Sequence, residues 1–299
     1  MKTKFIIFIL LLTILFGLTS VLAQEDKKAP VITMTKTEYT IAKGGNAPQP
    51  LSGEIQAYYP IAKVNVYIGD SKIPLNYWEN KYAETDKKLT FNLNELKIGK
   101  PKIDILQGIN ELPGIYKCKI EVLSYGDAPK TEKSFTIKVV GADDVIKIEK
   151  KELMTKGGAK YNKWYGLKDD APWCAVFQMW CFDQAGLINH VGGKNGELEY
   201  PYNWWVWYQA NNKAHLKNKG YTPKPGDLIF FDWTKNSGKD KKGNFSSEQF
   251  KHIELVEKIE HGMIYTIGGN TGGGCGMVNN HKWKTDNIYI IGYGENNLS

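Results

Sequence analysis

The stretch D-D-A-P-W-C-A-V-F-Q-M-W-C-F-D-Q-A-G, Asp169 to Gly186, decides how the second half of this chain folds. From Cys174 to Phe182 every side chain except Gln178 is apolar, and a helix that is apolar all round belongs in a core. Asp169 and Asp170 offer N-cap oxygens, and Pro172 fits a first turn, where its missing N–H would be unpaired anyway. Gly186 supplies the C-terminal stop. The stretch therefore predicts a buried helix that carries Cys174 in its first turn. The positive end of the helix dipole favours thiolate at such a position, and thiolate is the attacking form of sulfur. The competing reading is a cysteine that only packs.

A cysteine nucleophile needs a histidine base and a third group that orients it. Of the five histidines, His190, His215, His261 and His281 fall in loop-like or polar surroundings. Only His252 opens an apolar strand, H-I-E-L-V-E. Asn270, in I-Y-T-I-G-G-N-T (Ile264 to Thr271), completes the chain order Cys, His, Asn, a known catalytic set in which the amide oxygen accepts from the imidazole N–H. Together, P-W-C-A (Pro172 to Ala175), P-G-D-L-I-F-F (Pro225 to Phe231) and H-I-E-L-V-E resemble the CHAP family. These are the cysteine, histidine-dependent amidohydrolases/peptidases that cut bacterial cell-wall peptide, and the resemblance covers roughly residues 150 to 299. It implies an α+β papain-like domain and a Cys174, His252, Asn270 mechanism through an acyl-enzyme. The family commonly carries Glu where this chain has Gly268, and Gly where it has Glu254.

A hairpin turning at Glu260-His261-Gly262, with a three-residue loop, pairs Ile259 with Met263. In that register Glu254 faces Gly268 and His252 faces Asn270. The family's carboxylate has then moved to the opposite position on the neighbouring strand, which makes Glu254 a candidate auxiliary residue.

The remainder of the chain sets the context. Met1 to Ala23 has the basic start, apolar run and V-L-A ending of a cleaved signal peptide, so the protein is expected to be secreted, with no stable membrane insertion after cleavage. Residues 24–141 read as an all-β Ig-like sandwich of short alternating strands punctuated by Gly, Pro, Asn and Asp. Tyr116 and Cys118 have tyrosine-corner spacing. Near Gly141 the pattern changes to helical period, which sets the start of a catalytic domain at 142–299. All 39 basic residues are lysines, and the net charge of +7 is spread over both halves. With no arginine fork and no basic stripe, nucleic acid is excluded as a partner.

Cys174 and Cys181 are seven residues apart on one helix, about 10 Å of rise, too far for a disulfide. Cys118, Cys181 and Cys275 read as structural, and a bridge between Cys181 and Cys275 stays open. Neither zinc nor calcium spacing occurs, so no metal and no cofactor is expected. The tryptophan-rich second half makes Trp173, Trp205 and Trp233 candidates for substrate contact. The function expected is a secreted peptidoglycan hydrolase, amidase or endopeptidase. Its alternative is a non-catalytic wall-binding or adhesive protein.

Overall fold

The computed structural model describes residues 27–44, 49–74, 76–81, 87–98, 112–194, 197–234, 245–272 and 276–299. The expected leader Met1–Ala23, Cys275 and most of the polar stretch between Thr234 and Phe250 lie outside them. The chain forms two compact units. One comprises Met1–Thr37, Pro50–Lys97 and Cys118–Phe135; the other comprises Glu38–Gln49, Ile98–Lys117 and Thr136–Ser299.

Among the described residues, the strands before the first α-helix are β1 (Val31–Met34), β2 (Glu38–Ala42), β3 (Gln49–Pro50), β4 (Gly53–Gln56), β5 (Ile61–Ile68), β6 (Asn76–Glu79), β7 (Thr90–Asn92), β8 (Lys97–Ile98), β9 (Gly114–Ser124) and β10 (Thr131–Val140). In the first unit β1, β4 and β7 form an antiparallel sheet in that order. The run β10-β9-β5-β6 belongs to a second sheet. Side chains alternate as strands require: Ile55 and Phe91 are buried while Glu54, Gln56, Thr90 and Asn92 are exposed. Trp78 of β6 packs on Phe91 of β7 with ring centroids 5.0 Å apart, which brings the two sheets together.

The second unit contains the pairing of β2 with the end of β10, which is parallel, Ile41 facing Val139. Tyr116 donates its hydroxyl to the Leu112 carbonyl at 2.7 Å, the backward bond to the backbone that a tyrosine corner makes. After Gly141 come α1 (Ala142–Glu152), α2 (Ala159–Tyr165), α3 (Cys174–Gln184) and α4 (Pro201–Ala210). The strands β11 (Ala214–Leu216), β12 (Leu228–Phe231), β13 (His252–Glu260), β14 (Met263–Thr271), β15 (Met277–Lys284) and β16 (Ile290–Gly294) follow. They form one sheet in the order β11-β16-β12-β13-β14-β15, antiparallel at every pairing.

Helix α3 lies against β13 and β14, and its residues from Cys174 to Met179 are all buried. It ends as expected: Gly186 takes φ 78°, and the Leu187 N–H reaches back to the Phe182 carbonyl at 2.7 Å, closing a left-handed cap. Its start differs from the expectation. Trp173, not an aspartate, is the N-cap residue, and no side chain caps the helix. Asp169, Asp170 and Pro172 lie in the preceding loop. The buried Asn162 amide donates to the carbonyls of Asp169 at 3.3 Å and Ala171 at 2.9 Å, and these bonds hold that segment out of the helix.

The β13–β14 hairpin also differs in detail. Glu260 pairs with Met263, so the turn is two residues, His261 at φ 51° and Gly262 at φ 73°. Two central residues with positive φ match the strand twist. A bulge between Val256 and Lys258 then inserts one residue, and beyond it Leu255 faces Ile267. Turn and bulge compensate, so the register close to His252 is the expected one.

Candidate active site

The segment before Cys174 is held by close packing. Trp173, 3% exposed, stacks on Tyr161 with centroids 5.3 Å apart and planes at 21°. A Cβ on Gly158 would meet the Trp173 ring at 2.2 Å, and one on Gly269 would meet it at 2.5 Å. The indole thus fits between two backbone segments that only glycine allows to approach so closely. Asn162→Ala would remove the amide that binds two loop carbonyls, and leaving such groups unpaired costs about 1–3 kcal/mol. The expected result is a lower unfolding midpoint together with slower alkylation of Cys174, checked by thermal denaturation and by mass spectrometry of the labelled peptide.

His252 begins β13 and is 6% exposed. It lies within hydrogen-bond reach of the Cys174 side chain, and its Nε2 is 3.1 Å from Glu254 Oε1. With Nε2 engaged, Nδ1 is the ring atom left for the sulfur. Glu254 is 1% exposed and takes three further contacts. His281 Nδ1 is 2.8 Å from Oε1, Trp283 Nε1 donates to Oε2 at 3.0 Å, and the Thr266 hydroxyl donates to Oε2. His252, Thr266 and Trp283 thus share hydrogen bonds with the carboxylate, and His281 stands at ion-pair distance from it.

Burial alone would lower the His252 pKa, but the contacts with Cys174 and Glu254 raise it to about 10. Burial alone would raise Glu254; the hydrogen bonds and charges of His252 and His281 instead hold it well below the usual carboxylate range. For His252, raised above its ordinary 6.5, the stabilising contribution is complete below that pH and is lost as pH climbs towards about 10. For Glu254 it is present above the ordinary carboxylate range and is lost as pH falls. The stability difference between wild type and Glu254→Gln should therefore peak between about pH 5 and 6.5 and shrink on both sides, as measured by denaturant unfolding across pH.

Gly268 explains how Glu254 reaches across β14. A Cβ at Gly268 would lie 2.6 Å from Glu254 Cγ and 3.0 Å from its Oε1. The carboxylate-bearing chain therefore fills the space that a side chain at 268 would need. A cavity of about 260 Å³ opens beside the cluster, lined by Trp233, His252, Glu254, Asn270, Thr271, Gly272, His281 and Trp283.

Residues 166–270 match the family model described as CHAP domain. This part of the chain is a CHAP domain. No curated protein matches the chain. Among solved structures, a crystal structure of Ly7917 is similar at 10% identity with a TM-score of 0.31. A structure of Ly7917 with the hydrolyzing product of MDP is similar at 12% identity with the same TM-score, 0.31. Each likeness covers 51% of this chain and 61% of that one, so the chain spans less than two thirds of those proteins. Murine CRIg is similar at 11% identity with a TM-score of 0.20, over 37% of this chain and 95% of that one.

Within the CHAP domain, Asn270 stands differently from the expectation. It has φ 63°, at the irregularity of the β14–β15 pairing between Gly268 and Thr271, and a Cβ on Gly276 would lie 2.6 Å from its Oδ1. Among the described residues no hydrogen bond joins it to His252, whose Nε2 goes to Glu254. Asn270 instead lines both the cavity at His252 and a second cavity of about 500 Å³ bounded by Gly157, Gly158, Asp169, Asp170 and Trp173. Asn270→Ala is expected to leave the contact of His252 with Glu254 in place, as the His252 imidazole resonances check.

Trp233 is 41% exposed at the His252 cavity. Trp173 and Trp205 are buried at 3% and 2%. Trp205 borders another cavity, with Tyr202 and His215. His281 was read as loop-like because it follows two asparagines, but it sits in β15 opposite Thr266. The signal that could have found it is the alternation Asn279, His281, Trp283, which puts all three on one face. Cys118, Cys174 and Cys181 are free thiols. Burial pushes Cys118 up to about 12 and Cys181 well above its ordinary value, so neither is built to react.

Proposed function

We propose that the protein is a secreted peptidoglycan hydrolase in which Cys174, His252 and Glu254 act as a catalytic triad. The observation that carries this reading is the buried contact chain from Cys174 to His252 to Glu254, within the segment matching the CHAP family. Cys174 attacks the carbonyl carbon of a peptide or amide bond, forming an acyl-enzyme. His252 takes the thiol proton and returns it to the leaving amine. Glu254 accepts the His252 Nε2–H, which fixes the tautomer and stabilises the imidazolium. The backbone N–H at the start of α3, where intrahelical partners are lacking, faces the developing oxyanion. Asn270, first in line for the orienting role by chain order, borders the cleft on both sides and contacts substrate.

In this reading the leader Met1–Ala23 is cleaved and the protein works outside the cell. Residues 24–141 form an Ig-like sandwich that spaces or targets the papain-like α+β domain at 142–299; the tyrosine-corner bond of Tyr116 supports the sandwich. The test is incubation of the purified protein with bacterial cell walls, followed by mass spectrometry of released fragments. New amino termini within stem or bridge peptides identify an endopeptidase, and free peptide separated from muramic acid identifies an amidase. Walls left intact by a folded, reduced protein overturn the reading.

A further inference from the structure

The triad accounts for one of the two histidines on Glu254. The other, His281, comes from β15, on the far side of β14, and brings Nδ1 to 2.8 Å from the same oxygen, Oε1, that meets His252. Nδ1 is buried and has no hydrogen-bond partner among the described residues, so its tie to Oε1 is a close charge contact. A protonated imidazole at this distance attracts the carboxylate strongly, because both atoms are shielded from water. The side chain of His281 is 26% exposed against 1% for Glu254, and it lines the cavity.

We propose that His281 is a positioning residue: by sharing Oε1 of Glu254 with His252, it holds that carboxylate in the place where it receives the imidazole of the base. The proposal deepens the triad reading and rests on it for the role of Glu254 in catalysis. The alternative is that His281 only packs against Trp283, whose ring centroid is 5.5 Å away.

The surroundings favour an electrostatic role. A fully buried carboxylate is held only by its donors, because burial works against its charge. From β13 it faces His252, from β14 the Thr266 hydroxyl, and from β15 His281 and the Trp283 indole. From α3, Cys174 contacts His252. From α1 it feels Glu149, which is fully buried. Burial first, and then the charge of Glu254, push Glu149 well above its ordinary value, and a carboxyl group in either form offers Glu254 no positive charge. Of the described groups on Glu254, only the two histidines can offer a full positive charge.

The test is a carboxyl-carbon NMR titration of full-length protein labelled at glutamate Cδ, with the Glu254 resonance assigned by its loss in Glu254→Gln. His281→Phe removes the donor and keeps a ring. His281→Asn keeps an N–H near the position of Nδ1. Glu254 is expected to titrate about one unit higher in His281→Phe and between that and wild type in His281→Asn, which keeps a donor but not the charge. The acid limb of the wall-hydrolysis profile should move with it. A packing role would lower stability at all pH values and leave the Glu254 titration unmoved, which would overturn the proposal. Should phenylalanine prevent folding, His281→Ala is read by the same criterion. The NMR result stands whether or not walls are hydrolysed, so a failure of the triad reading and a failure of the His281 role are told apart.

Discussion

Replacing Cys174 by alanine should reduce wall hydrolysis by on the order of 10⁶-fold, by analogy with other acyl-transfer nucleophiles. The folded state should barely notice. Cys174 is 5% exposed and sits at the first turn of α3, where a single sulfur is a small part of the packing. The helix is anchored elsewhere: Phe177, Met179, Cys181 and Phe182 are all at 0% exposure, and the Gln178 amide donates to the Ile267 carbonyl. Cys174→Ser tests the chemistry more sharply, because it keeps shape and offers a poorer nucleophile to the same base. A companion measurement separates reactivity from packing. Iodoacetamide should label Cys174 much faster than Cys118 or Cys181, since only Cys174 has a protonatable imidazole beside it while burial raises the other two. Equal labelling of the three, or full activity in the alanine variant, would remove Cys174 from the mechanism.

How much of this was legible in the sequence depends on the range of the interactions involved. The nucleophile helix was, because its signal is local: an unbroken apolar run bounded by a glycine that takes the left-handed conformation. Its first residue was not, because a buried asparagine eleven or twelve positions upstream binds the loop carbonyls and delays the helix. The strand beginning at His252 was legible from its apolar pattern. The hairpin register near the site was reached through a three-residue loop that the structure replaces with a two-residue turn and a bulge, so two local differences cancel. The identity of the orienting group depended on which side chain crosses a neighbouring strand. Chain order pointed to Asn270, while the space above Gly268 lets Glu254 lie there instead. His281 and Trp283 come from a third strand, and their meeting with Glu254 depends on sheet order, which local pattern does not encode.

The exchange between positions 254 and 268 gives the second large effect. Glu254→Gly should lower hydrolysis by on the order of 10³–10⁴-fold, the scale seen when the orienting carboxylate of a triad is lost. His252 would also lose the partner that, with Cys174, raises its pKa to about 10, so the pH–rate profile should shift as well as fall. Gly268→Ala alone should be damaging for a different reason. Its Cβ would lie 2.6 Å from Glu254 Cγ, so either the carboxylate leaves His252 or β14 is displaced, at about 1–3 kcal/mol for such overpacking. The backbone at Gly268 does not have the positive φ that would itself forbid a side chain; the obstacle is Glu254. In Glu254→Gly the obstacle is gone, and Gly268→Glu can bring a carboxylate to His252 from the facing strand, since directly opposed residues lie about 5 Å apart at Cβ. The double variant should therefore recover at least tenfold over Glu254→Gly, while Gly268→Glu by itself, with two carboxylates competing for one buried space, should be the least stable of the set. The double-mutant cycle measures the coupling directly. Additive losses, with no recovery in the double variant, would mean that the two positions do not share one role.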